Sequence, residues 1–381
     1  MISFKTFITE AKAPAAGILH LEHPSDRVFD GKDAAEHAHK TLVDVAAGQA
    51  PLTRKIDDRV SFQAIRTEDG KVGVKYKGPG AHYNFSQQEL KTQHGHKPHL
   101  ISTLGPVLEH IGKVLPKTPG EYQGGFLSTP DARTISGGKI NHKPNTISYS
   151  VPEKSQEGQK LKASKVSMVI HTELKGPNKE AHPILSMGQF AQHPDVHQMS
   201  HVVDDKEKTL EPNNESTAKI NEHLGKAKQL MSNHNYAHLE GHSDMLRTYI
   251  NQTVRNGSTP NVSDYAEHIA TRHKKEIDKV KMPKTKQEKM AKATADAEHI
   301  SKNKSAFAKT LQIHGHLQTA TNLISRQLGA QAHGGYEHTI DDKPTHPEGF
   351  VANGLKIVDR QGFSAANLLK GDKFKQQKQA V

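Results

Sequence analysis

The chain has 381 residues, room for two or three domains at roughly 100 to 200 residues each, yet only 33% are hydrophobic and 5% aromatic, so core material should be concentrated in particular segments. Cysteine is absent, which excludes disulfides, thiolate metal sites and cysteine nucleophiles and fits a reducing compartment. The formal charge of +11, from 52 Lys+Arg against 41 Asp+Glu, favours polyanionic partners such as nucleic acid through a salt-dependent attraction. No apolar run approaches the roughly 18 residues that span a bilayer, so the expectation is a soluble, cytosolic protein without a membrane partner.

The opening "MISFKTFITEAKAP" sets Phe4, Phe7 and Ile8 at helical spacing before Pro14. Residues 1–19 therefore read as an amphipathic leader, either a detachable tag or a helix docked on the body. From about 55 to 175 the pattern is strand-like: "VSFQAI", "KVGVKYK", "NTISYSV" and "KVSMVIHTEL" are β-rich runs separated by the turn signals "EDGK", "GPG" and "SGGK". Between them "HLISTLGPVLEHIGKVL" carries a helical apolar period and should pack across the sheet, so residues 20–200 read as the first part of an α+β core.

Residues 201–334 turn to Lys, Glu, Ala, Gln and His and read as a helical insert. "KINEHLGKAKQLM" and "DMLRTYINQTV" are expected helices, and Phe307, Leu311, Leu317, Ile324 and Leu328 trace a further helix that should stop at Gly329. "KKEIDKVKMPKTKQEKMAK" reads as a solvated helix-turn-helix broken by Pro283. Residues 335–370 return to strands, with "EGFVA" and "LKIVDR" joined at Asn353-Gly354 as a hairpin, and 371–381 form a basic polar tail.

A covalent nucleotidyltransferase needs a lysine to attack an α-phosphorus, carboxylates for ribose and a divalent metal, and cations to neutralise phosphate. In order along the chain stand "KIDD" at 55–58, "GEYQGGF" at 120–126, "EGFV" at 348–351 and "LKIV" at 355–358. Each motif is weak by itself; the ordered set, on strands or strand edges, is more specific.

On these residues the chain resembles an uncharacterised family of tailed-phage proteins whose cores look like the adenylating domain of ATP-dependent RNA and DNA ligases. The resemblance runs from "LEHPSDRVFDG" through "YQGGFLST" and "VSMVIHT" to "PEGFVANGLKIVDRQGFSAANL". It implies an α+β, ligase-like nucleotidyltransferase core with an inserted α-helical domain. It also implies that Lys55 forms lysyl-AMP, that Asp57 orients it, that Lys75 contacts phosphate, that Glu348 binds metal, and that Lys356 neutralises the α-phosphate. Glu121 would supply a second acidic group for nucleotide and metal. ATP and Mg²⁺ or Mn²⁺ are the implied cofactors, RNA or DNA ends the substrate, and the host cytoplasm the location. Arg59 and Lys77 are further phosphate neighbours without a motif behind them. "MISFKTFITEA" is similar to leaders that target phage proteins into the prohead, which implies a capsid association.

Two departures open a second reading. Asp58 stands where ligases have glycine, and Gly125 where the phage family tends to carry an acid. A lysine of ordinary pKa about 10.4 must fall roughly 3 units to be neutral near pH 7, about 4 kcal/mol, and an added carboxylate pushes the other way. The alternative is therefore a catalytically degenerate, virion-packaged structural or nucleic-acid-associated protein. With 27 histidines, clusters such as "HGHKPH" and "HNYAHLEGH" are expected by chance; His268 and His273 lack the i, i+4 spacing of a helical zinc pair, and no HExxH, phosphate loop or GxSxG elbow occurs.

Overall fold

A computed structural model describes residues 21–77, 80–211 and 214–364. The leader at 1–19 and the basic tail at 371–381 lie outside the described residues. In chain order the elements are α1 (Lys32–Ala46), β1 (Thr53–Lys55), β2 (Val60–Arg66), β3 (Val72–Tyr76), α2 (Gln87–His94), α3 (Pro98–His110), β4 (Gly120–Ser128), β5 (Arg133–Ser136), β6 (Lys139–His142) and β7 (Ser148–Pro152). Then follow α4 (Gln156–Ala163), β8 (Val166–Lys175), β9 (Glu180–Pro183), β10 (Val196–Gln198), α5 (Glu215–Ser232), α6 (Ser243–Asn256), α7 (Val262–Asp278), α8 (Pro283–Lys302) and α9 (Lys304–Gln331). Four short strands close the described chain: β11 (Glu337–Ile340), β12 (Lys343–Thr345), β13 (Gly349–Ala352) and β14 (Leu355–Ile357). The fold is mixed α+β.

Two compact units divide the chain. The first comprises Leu52–Asp204 and Ala332–Glu348; the second comprises Glu22–Pro51, Asp205–Gln331 and the chain from Gly349 onward.

In the first unit β10-β8-β4-β2-β3 form one sheet, with β9 added on β8, and β12-β11-β7-β6-β5 form another. The period-2 alternation of β2 decides which side faces the core. Val60, Phe62 and Ala64 point with Tyr122, Phe126, Met168 and Ile170 onto Leu100, Leu104 and Val107 of α3, the packing its helical period predicts. Ser61 and Gln63 point the other way, onto a face that carries Gln123, Gly125 and Lys75 across the registered strands. Gln63 and Gln123 are buried, so this second face is a polar floor rather than a solvated surface.

The second unit is helical. The side chain of Asn261 accepts from the Asp264 N–H to cap α7 at 2.9 Å, and α6 ends on Gly257 at φ +65°, where a glycine takes the left-handed turn. Tyr249, Ile250, Tyr265, Ile269, Ile300 and Phe307 build its core. The unit takes in Glu22–Pro51 as well as the stretch expected from composition, because α1 buries Ala35, Ala38, Leu42 and Val45 and packs on α5 and α9. The expected stop at Gly329 is corrected: α9 runs to Gln331. Leu328, Gly329 and Ala332 are buried, and that packing offsets the roughly 1 kcal/mol a helical glycine costs. The β13–β14 hairpin turns at Asn353 (φ +47°) and Gly354 (φ +75°), the two left-handed residues of a type I′ turn.

Candidate functional site

Lys55 ends β1, and its amine donates to Glu348 Oε1 from 293 positions away. Lys55 keeps 31% of its side-chain surface exposed and Glu348 10%, so the pair is covered but reachable. The second carboxylate oxygen, Glu348 Oε2, is buried and has no hydrogen-bond partner among the described residues. An acceptor in that state is suited to a metal ion or a ligand hydroxyl.

Asp57 is buried behind the lysine. Its Oδ2 accepts from the Thr146 and Ile147 N–H groups at 2.6 and 2.8 Å, and its Oδ1 accepts from Asn145 Nδ2 at 2.9 Å. The Asp57 N–H in turn donates to the Tyr149 hydroxyl at 2.8 Å. With those bonds made, Asp57 is an anchor: it ties the chain after β1 to the loop before β7 and fixes where Lys55 emerges.

Asp58 lies beside both. It accepts from Ser61 Oγ at 2.8 Å, and burial raises its carboxyl against the opposing pull of Ser61, Lys55 and Lys77. A Cβ built on Gly125 would fall inside the Asp58 carboxylate. Asp58 and Gly125, the departures from the ligase and the phage-family patterns, are therefore one feature: Asp58 fills the space that a side chain at 125 would need.

These neighbours decide protonation. Burial alone would lower the Lys55 amine, but the charge and hydrogen bond of Glu348, backed by Asp58 and Asp57, hold it above the ordinary lysine value. Glu348 is raised in its turn, first by burial and then by Asp57 and Asp58, against the pull of Lys55. Lys77 moves the other way: burial lowers it, with Asp58 opposing and Lys55 assisting. His171, whose value burial depresses to about 3, also feels both lysines and accompanies them as a neutral ring. Sequence reasoning offered Lys77 without a motif and missed His171 entirely, since a histidine inside a strand carries no spacing signal.

Glu121 and Lys75 form a different cluster. The Tyr83 hydroxyl and Lys179 both donate to Glu121, while the Lys75 amine sits 4.4 Å over the Tyr83 ring. Glu121 lies four residues from Gly125 along β4, about 13 Å at a strand's rise of roughly 3.3 Å per residue. It is thus separated from Glu348, and the two do not make a joint metal site. Lys356 lies on β14 in the other compact unit, where its N–H donates to the Glu22 carbonyl at 3.0 Å. Arg59 is exposed, and its N–H donates to the Phe126 carbonyl at 3.0 Å.

Among the described residues no three His, Asp or Glu side chains are arranged to hold a metal ion unaided. A divalent cation at Glu348 would need ligand oxygens and water to complete its shell, the usual arrangement for Mg²⁺. No helix among the described residues is long and apolar enough to cross a membrane.

The chain belongs to a family of unknown function (DUF6267), whose model matches residues 19–372. No curated protein and no solved structure matches it.

Proposed function

We propose that this family member is a ligase-like nucleotidyltransferase that takes AMP from ATP onto Lys55 and passes it to a nucleic-acid end. The observation that carries the reading is the Lys55–Glu348 pair: a lysine and a glutamate 293 positions apart meet with one carboxylate oxygen left unpartnered. Glu348 Oε1 first takes one proton from the Lys55 ammonium; the freed Nζ lone pair attacks the α-phosphorus, the bond from that phosphorus to the bridging oxygen of the β-phosphate breaks, and pyrophosphate departs with the second Nζ proton. Glu348 is placed for that first transfer because its Oε1 already receives a hydrogen from Nζ and burial raises its carboxyl. A 5′-phosphate oxygen then attacks the AMP phosphorus and frees the lysine. Attack by a 3′-hydroxyl seals the strand and releases AMP.

Mg²⁺ or Mn²⁺, held through Glu348 Oε2, would supply neutralisation of phosphate charge. Lys77 offers a second cation on the same face, and Glu121, Lys75 and Tyr83 form a further charged cluster along the same sheet.

The test is incubation with α-labelled ATP and Mg²⁺ or Mn²⁺, followed by denaturation and peptide mapping. Label on Lys55 that is lost in Lys55→Ala is expected. Absence of label, or label on Lys77, overturns the assignment.

A second reading is favoured by the raised Lys55 amine, which keeps the resting lysine a cation. On that reading the protein is catalytically degenerate and packaged with nucleic acid in a phage particle. A form beginning at Ala11 in purified virions, together with no label on the protein, would select it.

A further inference from the structure

α8 is 20 residues long and buries one of them, Ile300. A helix draws most of its stability from packing an apolar face, so a long helix with so little burial has a face without a partner among the described residues. Against α7 it encloses a cleft of about 560 Å³. The floor is apolar: Ala266, Ile269, Ala270 and Ile277 from α7 face Met290, Ala293, Ala297 and Ile300 from α8. Met290 is 53% exposed. The two helices are pinned together by His273 to Asp296 at 2.7 Å and Lys289 to Glu276 at 3.1 Å, so the cleft has fixed walls.

Its rim is cationic. Lys274, Lys286 and Lys304 line the cleft, and among the described residues none of them makes an ion pair. From 274 to 292 the sequence sets eight lysines against Glu276, Asp278 and Glu288. We infer that the α7–α8 cleft is a docking groove for an acidic amphipathic helix of another protein.

The charge selects that occupant. A second copy would present the same lysine-rich rim to itself, and like charges across an interface oppose association. Residues 1–20 carry Lys5 and Lys12 against Glu10, and residues 365–381 carry four lysines against Asp372, so neither end of this chain complements the rim. Nucleic acid would use the lysines but has no need of an apolar floor of alanines, isoleucines and a methionine. A helix with carboxylates flanking an apolar stripe satisfies both, in the helix-in-groove mode.

The probe is a fluorescein-labelled 16-residue synthetic peptide with Leu at helical spacing and Glu elsewhere, about 24 Å long as a helix. Its control has the same composition scrambled so that the leucines share no face. Fluorescence anisotropy with the full chain is expected to show the patterned peptide binding at least about tenfold more tightly than the control. Ala270→Phe with Ala297→Phe, at two exposed positions, should fill the floor and cost a similar factor. Lys274→Glu with Lys286→Glu should do likewise, with helix content by circular dichroism unchanged. Equal binding of both peptides, indifference to the floor substitutions, or displacement by a 16-nucleotide single strand would make the hairpin a general polyanion surface and overturn the groove. No binding of the patterned peptide overturns it as well.

Discussion

The molecule holds two buried ion clusters, each joining residues from near the two ends of the chain, and they resolve the same electrostatic problem in opposite directions. In the helical unit Asp26 Oδ1 accepts from Arg360 at 2.6 Å and lies 3.0 Å from His314 Nε2, while Arg360 also donates to Asn251 at 2.6 Å. Burial would raise the Asp26 carboxyl, yet Arg360 and His314 pull it far below the ordinary range. At Glu348 the one cation that pulls its carboxyl down is Lys55, while burial, Asp57 and Asp58 push the other way and Glu348 is raised. Exposure divides them too: the Arg360 side chain is 1% exposed, that of Lys55 31%. The closed cluster matches one guanidinium to one carboxylate beside a histidine whose value burial lowers, whereas the open one crowds several carboxylates around Lys55.

The strongest way to break that contrast is Arg360→Leu. It strands Asp26 without its main cation in a closed site, and the expected loss is about 3–5 kcal/mol of unfolding free energy by urea titration. Because the folded Asp26 value lies below the unfolded one, its contribution is present above the ordinary carboxylate pKa near 3.9 and drains away as the pH falls further. The variant should therefore lose that part of the acid limb of the stability curve. An unchanged midpoint in Arg360→Leu would show that the cluster holds nothing.

Next in size is Gly125→Ala. Its Cβ has no room beside the Asp58 carboxylate, and forcing it in should cost about 1–3 kcal/mol. Asp58→Gly removes the obstruction, so the double variant should recover most of the loss, a coupling that thermal unfolding of the four proteins in the cycle would read. Additive losses would show that Asp58 and residue 125 do not share that space.

What could be read from the sequence follows the range of the interaction that sets it. Strands β2, β3, β7 and β8, the apolar period of α3 and the Asn353-Gly354 turn are local, and alternation or a left-handed pair announces them. The extent of α9 is not local: Gly329 looks like a stop until the packing of Leu328 and Ala332 is known. At the site, motif order brought Lys55 and Glu348 into one hypothesis, and they do meet. The state of that pair could not be read, because it depends on how many carboxylates crowd one amine. Nor could the fit of Asp58 against Gly125, which joins residues 67 positions apart across two strands; both looked like separate defects. Glu121 sits on the expected strand, but β4 carries it about 13 Å from Gly125, a separation visible only once the register is fixed.

The smallest stability effect belongs to the open cluster, where the chemical effect should be the larger one. Lys55→Met removes the cation paired with Glu348, yet burial and the neighbouring carboxylates already raise the Glu348 carboxyl against it and the lysine is partly exposed. We expect less than about 1 kcal/mol of destabilisation, the range of partly exposed pairs. Glu348→Gln makes the complementary change. It deletes the largest influence holding Lys55 up, leaving burial to lower the amine with Asp58 and Asp57 still opposing. The amine should then lose its proton at lower pH, and the Lys55 peptide should react with an amine-directed acylating reagent at a pH where the parent is inert. If Glu348 is also the proton acceptor, the same variant fails to form the AMP adduct although its lysine is easier to deprotonate. A Glu348→Gln protein whose Lys55 titrates as before would mean that the ion pair does not set the state of the lysine, and the contrast between the two clusters would collapse.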